Sequence, residues 1–410
     1  MTRFFAAAAV VALALMAGAR PDGQTADWFQ WRGPNRDGVS LETGLLEVWP
    51  AGGPPLVWRA TGAGTAYSSF SASNGRLFTL GARGTTEYVM AFDAATGKKL
   101  WETANGSRFR NEQGDGPRGT PTVDGDRVYA IGGSGELSAL DAATGQKAWS
   151  INLPRRFGGV TPYWGYSESP LVVGDRLVVN AGGPQASIVG VAKADGSVLW
   201  QRHGDEAAYS SPMVLRTGSL TQVVFFTAER ALAVDPRDGR LLWSYTRVAN
   251  RTANIATPVV RGNRVFLSSD YGTGAALLDI RAAGNLASAE EIYFTRDMRN
   301  HHATSVLVGD HLYGFSGSIL TALTFDTGRV AWRDRSVGKG SLIYADERLY
   351  IYGENGMLAL AEATPEGYRE HGRFRIEASG PPTWSHPIIT RGRLIIRDQD
   401  VVYAFDVRAR

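Results

Sequence analysis

The sequence predicts an all-β protein, an eight-bladed β-propeller of four-stranded blades. Three observations predict it. An eleven-residue motif recurs along the chain, its copies are spaced by about 40–50 residues, and helical periodicity is nearly absent from a chain of 410 residues with 49 glycines.

The motif comes first because the elements hang on it. Ala91 to Trp101 reads AFDAATGKKLW, Ala139 to Trp149 reads ALDAATGQKAW, and Gly190 to Trp200 reads GVAKADGSVLW. Ala233 to Trp243 (AVDPRDGRLLW) and Ala322 to Trp332 (ALTFDTGRVAW) complete the set. Alternating apolar and polar residues predict a half-buried strand. The glycine admits a positive φ, so the chain reverses, and Asp or Thr beside it bonds the turn backbone. The Trp then lies on the returning strand, where burying about 150–250 Å² is worth roughly 4–6 kcal/mol as an upper bound. Trp149→Ala is expected on this basis to cost about 3–5 kcal/mol.

The intervals between Trp residues are 48, 51, 43 and 89 residues. The double interval predicts a degenerate copy over Leu278 to Tyr293, with Tyr293 in the Trp position, and a further one ending near Phe374. Innermost strands are expected to start at Ser69, Thr120, Ser169, Ser211, Thr257, Thr304, Ser341 and His386. Several carry Pro next (Pro121, Pro170, Pro212, Pro258, Pro387), which suits an edge strand lining a channel. The last blade lacks its Trp strand, whereas Leu56 to Ala60, around Trp58, is a Trp strand with no blade before it. Pairing Leu56–Ala60 with Val401–Asp406 closes the ring and removes an exposed edge. The structural Trp set is therefore Trp58, Trp101, Trp149, Trp200, Trp243 and Trp332.

The ends and the composition set the context. Arg3, an apolar run from Phe4 to Met16 and Ala17-Gly18-Ala19 form the pattern of a secretory signal peptide over residues 1–19. Residues 20–55 are a lead-in or cap, and 56–410 the propeller. No transmembrane span is expected after cleavage. The chain has no Cys, so neither a disulfide nor a lipid anchor. The expected place is the periplasm or the extracellular space, and the expected state a monomer. A formal charge of +3 is too small to imply nucleic acid.

The motif resembles the tryptophan-docking repeat of PQQ-like, or quinoprotein-like, propellers, over nearly the whole mature chain. The stretches WRGPNRDG, NHHATSVLVGDHLYGF and WSHPIITRGRLIIRDQDVVYAFD look like those of exported bacterial members. One branch of that family, the quinoprotein alcohol dehydrogenases, implies pyrroloquinoline quinone and calcium in the central funnel, with a vicinal Cys pair, a Trp beneath the cofactor and an Asp base. With no Cys the pair is missing, and no Asp base or calcium set aligns. The other branch, BamB, implies a non-catalytic protein-interaction scaffold, although this chain lacks a Cys to carry a lipid. No HExxH, GxSxG or P-loop motif occurs.

The expectation is an exported, non-catalytic scaffold or binding module, BamB-like in fold, with no catalytic residue, no metal and no cofactor. The alternatives are a PQQ-dependent alcohol dehydrogenase-like quinoprotein with PQQ and calcium, and a carbohydrate-binding propeller. Fold alone does not choose among them. The candidate ligand site is a ring of Arg118, Tyr166, Glu168, His302, Lys339 and His386, each at or just before an innermost strand. Cations and imidazoles converging there suit a small anion or an acidic loop of a periplasmic partner, held more tightly below about pH 6.5. His301 and His302, as neighbours on an extended strand, are expected to face opposite ways.

Overall fold

A computed structural model describes residues 27–380 and 382–409. The expected signal peptide lies outside the described residues. Eight four-stranded antiparallel sheets form the described part, as the Trp spacing requires. The first blade runs from Ser71 to Ser107, the second from Thr122 to Asn152, the third from Leu171 to Arg202 and the fourth from Met213 to Tyr245. The fifth runs from Val259 to Thr295, the sixth from Val306 to Asp334 and the seventh from Gly340 to Arg375. Ile388–Thr390, Arg393–Asp398 and Val401–Asp406 supply three strands of the eighth, and Leu56–Ala60 is the fourth, antiparallel to Val401–Asp406. Each blade alternates inward and outward side chains, so its two faces are apolar and pack against both neighbours. The core is a series of inter-blade clusters rather than one central mass.

The recurring motif acts across the blade boundary. Trp58, Trp101, Trp149 and Trp200 each donate Nε1–H to a carbonyl of the following blade, at Ala94, Ala142, Lys193 and Pro236. Each acceptor lies three residues before the turn glycine of that blade, and the same Trp ring covers that glycine. A Cβ built on Gly97, Gly145, Gly196 or Gly239 would stand 2.4–2.8 Å from the ring. Tyr293 does the same to Gly328 and donates to Phe325 O. Trp332 donates to Thr364 O. Trp243 differs: its Nε1–H goes to Gln222 Oε1 in its own blade. The fifth blade turns instead through a long hairpin, Gly274–Ala283 to Leu286–Thr295, and so lacks the short Asp/Gly turn that Trp243 would meet.

The innermost strands differ from expectation in one respect. Seven begin two residues later than expected, at Ser71, Thr122, Leu171, Met213, Val259, Val306 and Ile388. Ser and Thr at the expected starts make a series of bonds between neighbouring blades. Ser69 N–H donates to Thr120 Oγ1, Thr120 N–H to Ser169 Oγ, Ser169 N–H to Ser211 Oγ, and Thr257 N–H to Thr304 Oγ1. Ser69 Oγ–H donates to His386 O, from the first blade to the eighth. Arg397, 1% exposed, reinforces that junction with bonds to the carbonyls of Ala63, Gly64 and Leu80. A short helix, Leu153–Phe157, interrupts the all-β order, capped by Asn152 and with Pro154 in its first turn.

Trp149 is half-buried, so its truncation costs less than full burial implies. Trp200 is 7% exposed and keeps its bond to Pro236 at 3.0 Å. Trp200→Ala is expected to lower unfolding free energy in urea by about 3–5 kcal/mol and Trp149→Ala by about half as much. Equal losses, or none, would contradict this account of the blade boundary.

Candidate functional site

The site begins with the lead-in, which lies inside the ring of innermost strands. Trp28 pairs with Ala72 of the first blade, and Phe29 O accepts from Val123 N–H of the second. Trp31 then reaches across to donate Nε1–H to Thr257 Oγ1 of the fifth blade. The chain reverses at Arg32–Gly38, where Arg32 and Arg36 take φ values of 60° and 58°. It leaves along the seventh blade, bonded through Gly38 and Ser40 to Tyr344.

Two buried guanidiniums hold this reversal. Arg32 donates to Thr304 O and Ser305 O of the sixth blade, and Arg36 to Ser169 O and Pro170 O of the third. Burial draws the pKa of Arg32 down to about 10 and of Arg36 to about 9, which still leaves both charged at neutral pH. Carbonyl oxygens supply the partial negative charge that carboxylates would otherwise provide.

Where Trp31 meets the channel, a cavity of about 250 Å³ opens. Its lining follows a rule of position. In seven blades the residue two before the Ser, Thr or His that starts the inner-strand segment lines the cavity: Tyr67, Arg118, Ser167, Tyr209, Ile255, His302 and Trp384. The rings pack on one another. Tyr67 lies 4.5 Å from Trp384 between centroids, Trp164 5.5 Å from Tyr209, and Trp31 4.6 Å from His386. Apolar ring surface dominates the wall.

Most polar groups of the wall are bonded within the protein, while His302 Nε2 and His386 Nδ1 are buried without a partner. Arg118 donates to Gly114 O and Gly116 O and lies over the rings of Tyr67 and Phe109. Trp164 Nε1–H donates to Gln113 Oε1, Trp384 Nε1–H to Glu354 Oε1, and Tyr271 Oη bonds His301 Nε2. Glu354 also meets Lys339 Nζ at 3.3 Å and His302 Nδ1 at 3.4 Å. Burial foremost lowers the pKa of His301 to about 4, with Lys339 adding repulsion. It lowers that of His386 to about 3, with Arg32 adding repulsion, and that of His302 well below 6.5. The three imidazoles are neutral at physiological pH.

Of the six residues expected at the mouth, Arg118, His302 and His386 line the cavity together. Lys339 occupies the corresponding position of the seventh blade but is paired with Glu354 behind the wall. Tyr166 and Glu168 do not join them. Tyr166 is buried between blades and donates its hydroxyl to Ala181 O; Glu168 accepts from Asn180 N–H in the interior of the third blade. The residue of that blade at the lining position is Ser167, and its neighbours on an extended chain face away from it. The imidazoles also do not charge near pH 6.5, contrary to expectation. His301 and His302 are not opposed either. They lie on a bend, with their Nδ1 atoms 3.5 Å apart, and both line the cavity. Sequence reasoning missed Trp31, Tyr67, Tyr209, Tyr271 and Trp384. The signal was present as Tyr-Ser-Ser at Tyr67 and Tyr209 and Trp-Ser-His at Trp384, aromatics in one register of the repeat.

The depressed imidazoles link the site to stability. His386 stays neutral in the fold to about pH 3, whereas its unfolded pKa is 6.5. Its contribution is therefore full above pH 6.5 and is lost as pH falls toward 3. Glu168, raised to about 8 by burial, and Glu87, raised to about 7, act in the opposite sense, losing stability as pH rises from 4.5. Comparison with His386→Leu isolates the imidazole. Between pH 7 and pH 4.5 the wild type is expected to lose about 2 kcal/mol more than the variant in urea unfolding. Parallel pH profiles would contradict the depressed pKa.

Known proteins share this architecture. No curated protein sequence matches the chain. The structure of BamB from Moraxella catarrhalis superposes with a TM-score of 0.62 at 15% identity, covering 87% of this chain and 98% of that one. Quinohemoprotein alcohol dehydrogenase from Comamonas testosteroni gives 0.66 at 13% identity, covering 95% and 83%. Sqt1 from Saccharomyces cerevisiae gives 0.59 at 12% identity, covering 86% and 99%. At these identities the likeness is one of fold. The sequence itself matches the family model described as outer membrane protein assembly factor BamB over residues 85–334, more than half of the chain, and the protein belongs to that family.

Proposed function

We propose that the protein is an exported, non-catalytic binding propeller, a scaffold that engages a ligand or partner through the aromatic cavity on its axis. The observation that carries this reading is the lining: seven blades contribute the same repeat position to one largely apolar cavity, most of whose polar groups are already bonded within the protein. Such a surface binds by shape and ring contact. It offers no activated nucleophile paired with a base. Export rests on the N-terminal sequence pattern, and the family's description supports a role beside outer-membrane proteins. No helix among the described residues is long and apolar enough to cross a membrane.

The quinoprotein reading asks for more than these residues supply. Pyrroloquinoline quinone carries three carboxylates and works beside calcium. The guanidinium of Arg118 is turned to glycine carbonyls, and Lys339 is paired with Glu354. Among the described residues no group of three or more His, Asp or Glu is arranged to hold a metal ion. The residues present do not fit the cofactor and its ion.

Two assays test the proposal together. With PQQ, calcium, a primary alcohol and a dye acceptor, dye reduction is expected to stay at the no-protein background. In a thermal-shift screen of small molecules and peptides, compounds that stabilise the wild type are expected to leave Ser167→Trp, which fills the cavity, unmoved. Catalysed dye reduction, or hits that stabilise both proteins equally, would overturn the reading.

A further inference from the structure

Resting on that reading, we infer that the cavity is a receptor for one uncharged aromatic ring of phenyl or indole type. A cavity of about 250 Å³ lies below the usual range for drug-sized ligands, roughly 300–1,000 Å³. It has room for one ring system.

A sugar ring brings several hydroxyls that each need a partner, and a buried polar group without one is costly. Here the indole N–H of Trp31 is committed to Thr257, that of Trp164 to Gln113 and that of Trp384 to Glu354. Tyr67 donates its hydroxyl to Gln113 O, and Tyr271 is bonded to His301. Among the buried side-chain atoms of the lining residues only His302 Nε2 and His386 Nδ1 lack a partner, too few for the several hydroxyls of a sugar.

The net positive charge of Arg118, whose partners are neutral carbonyls, opposes a cationic guest, which the rings alone would attract. An anion finds donors of Arg118 turned to the Gly114 and Gly116 carbonyls and Lys339 paired with Glu354, so it gains little charge-assisted hydrogen bonding. An uncharged guest pays neither cost. Ring edges and faces on several sides of the cavity then favour an aromatic guest, through edge-to-face and offset contacts that add to area burial.

The same chemistry has two sources: a free small aromatic, or a Trp, Tyr or Phe side chain on a partner's loop. The test titrates free indole, N-acetyltryptophanamide and an Ala/Gly peptide holding one Trp, with benzoate, benzylamine and methyl glucoside as contrasts. Saturation is read from NMR chemical shifts of wild type, Ser167→Trp and Trp384→Leu, with melting curves to show that each variant folds. Indole is expected to saturate the wild type, to bind Trp384→Leu at least tenfold more weakly and to lose binding in Ser167→Trp. A peptide tenfold tighter than free indole identifies a partner loop as the source, and the reverse order identifies a small molecule; both support the inference. If benzoate, benzylamine or methyl glucoside binds tighter than indole and Ser167→Trp blocks it, the aromatic assignment falls while the binding reading stands. If nothing saturates the wild type, both fall. If Trp384→Leu fails to fold, Ser167→Trp, whose change fills space without removing a core contact, decides alone.

Discussion

The structure depends on one contact made repeatedly: an indole ring on the outer strand of one blade covering the turn glycine of the next. The contact is geometric before it is energetic. The turn needs a residue that takes a positive φ, and the ring needs a site with no Cβ; glycine satisfies both. The carbonyl three residues earlier then receives the indole N–H, which fixes the ring and with it the angle between blades. Because Trp58 precedes the first blade and bonds Ala94 within it, the same contact that spaces the blades also closes the circle. Tyr293 keeps the contact with a hydroxyl in place of an indole N–H.

Near the axis a different constraint operates. Proline in most inner-strand segments removes N–H donors, and Ser and Thr hydroxyls at these positions accept backbone N–H bonds from neighbouring blades. These bonds fix where the chain enters each blade, and hence the direction of the residue two positions earlier. Seven such residues meet over the lead-in, whose Trp31 bonds Thr257 within the same hydroxyl series. The cavity is therefore a product of repeat symmetry and of one inserted loop, and its aromatic content comes from both.

The repeat made the blades legible. The Trp intervals, the Gly turns and the orphan strand at Leu56–Ala60 are local signals, and the structure places the closing pair where they imply. The lead-in was not legible in the same way. Arg32 and Arg36 sit in a Gly/Pro turn that reads as solvent-facing, yet they are 2% exposed. Besides Asp37 O and Gln30 Oε1 nearby, their partners are backbone carbonyls more than 130 residues away, and a carbonyl has no sequence signature. The candidate ring was half legible. Charge and imidazole mark Arg118 and His302, while Tyr67, Tyr209 and Trp384 at the same register carry neither. Tyr166 and Glu168 flank the correct position, and a displacement of one residue on an extended chain turns a side chain from the cavity into the blade.

The central claim is that this axial cavity receives an uncharged aromatic ring. The most direct measurement is a crystal of the protein soaked with 5-bromoindole, with the bromine located by its anomalous scattering. The account predicts a bromine peak inside the cavity, with the indole among Tyr67, Trp164, Tyr209 and Trp384. Bromine found only on the outer surface of the blades, with the axial cavity taking up none, would contradict it.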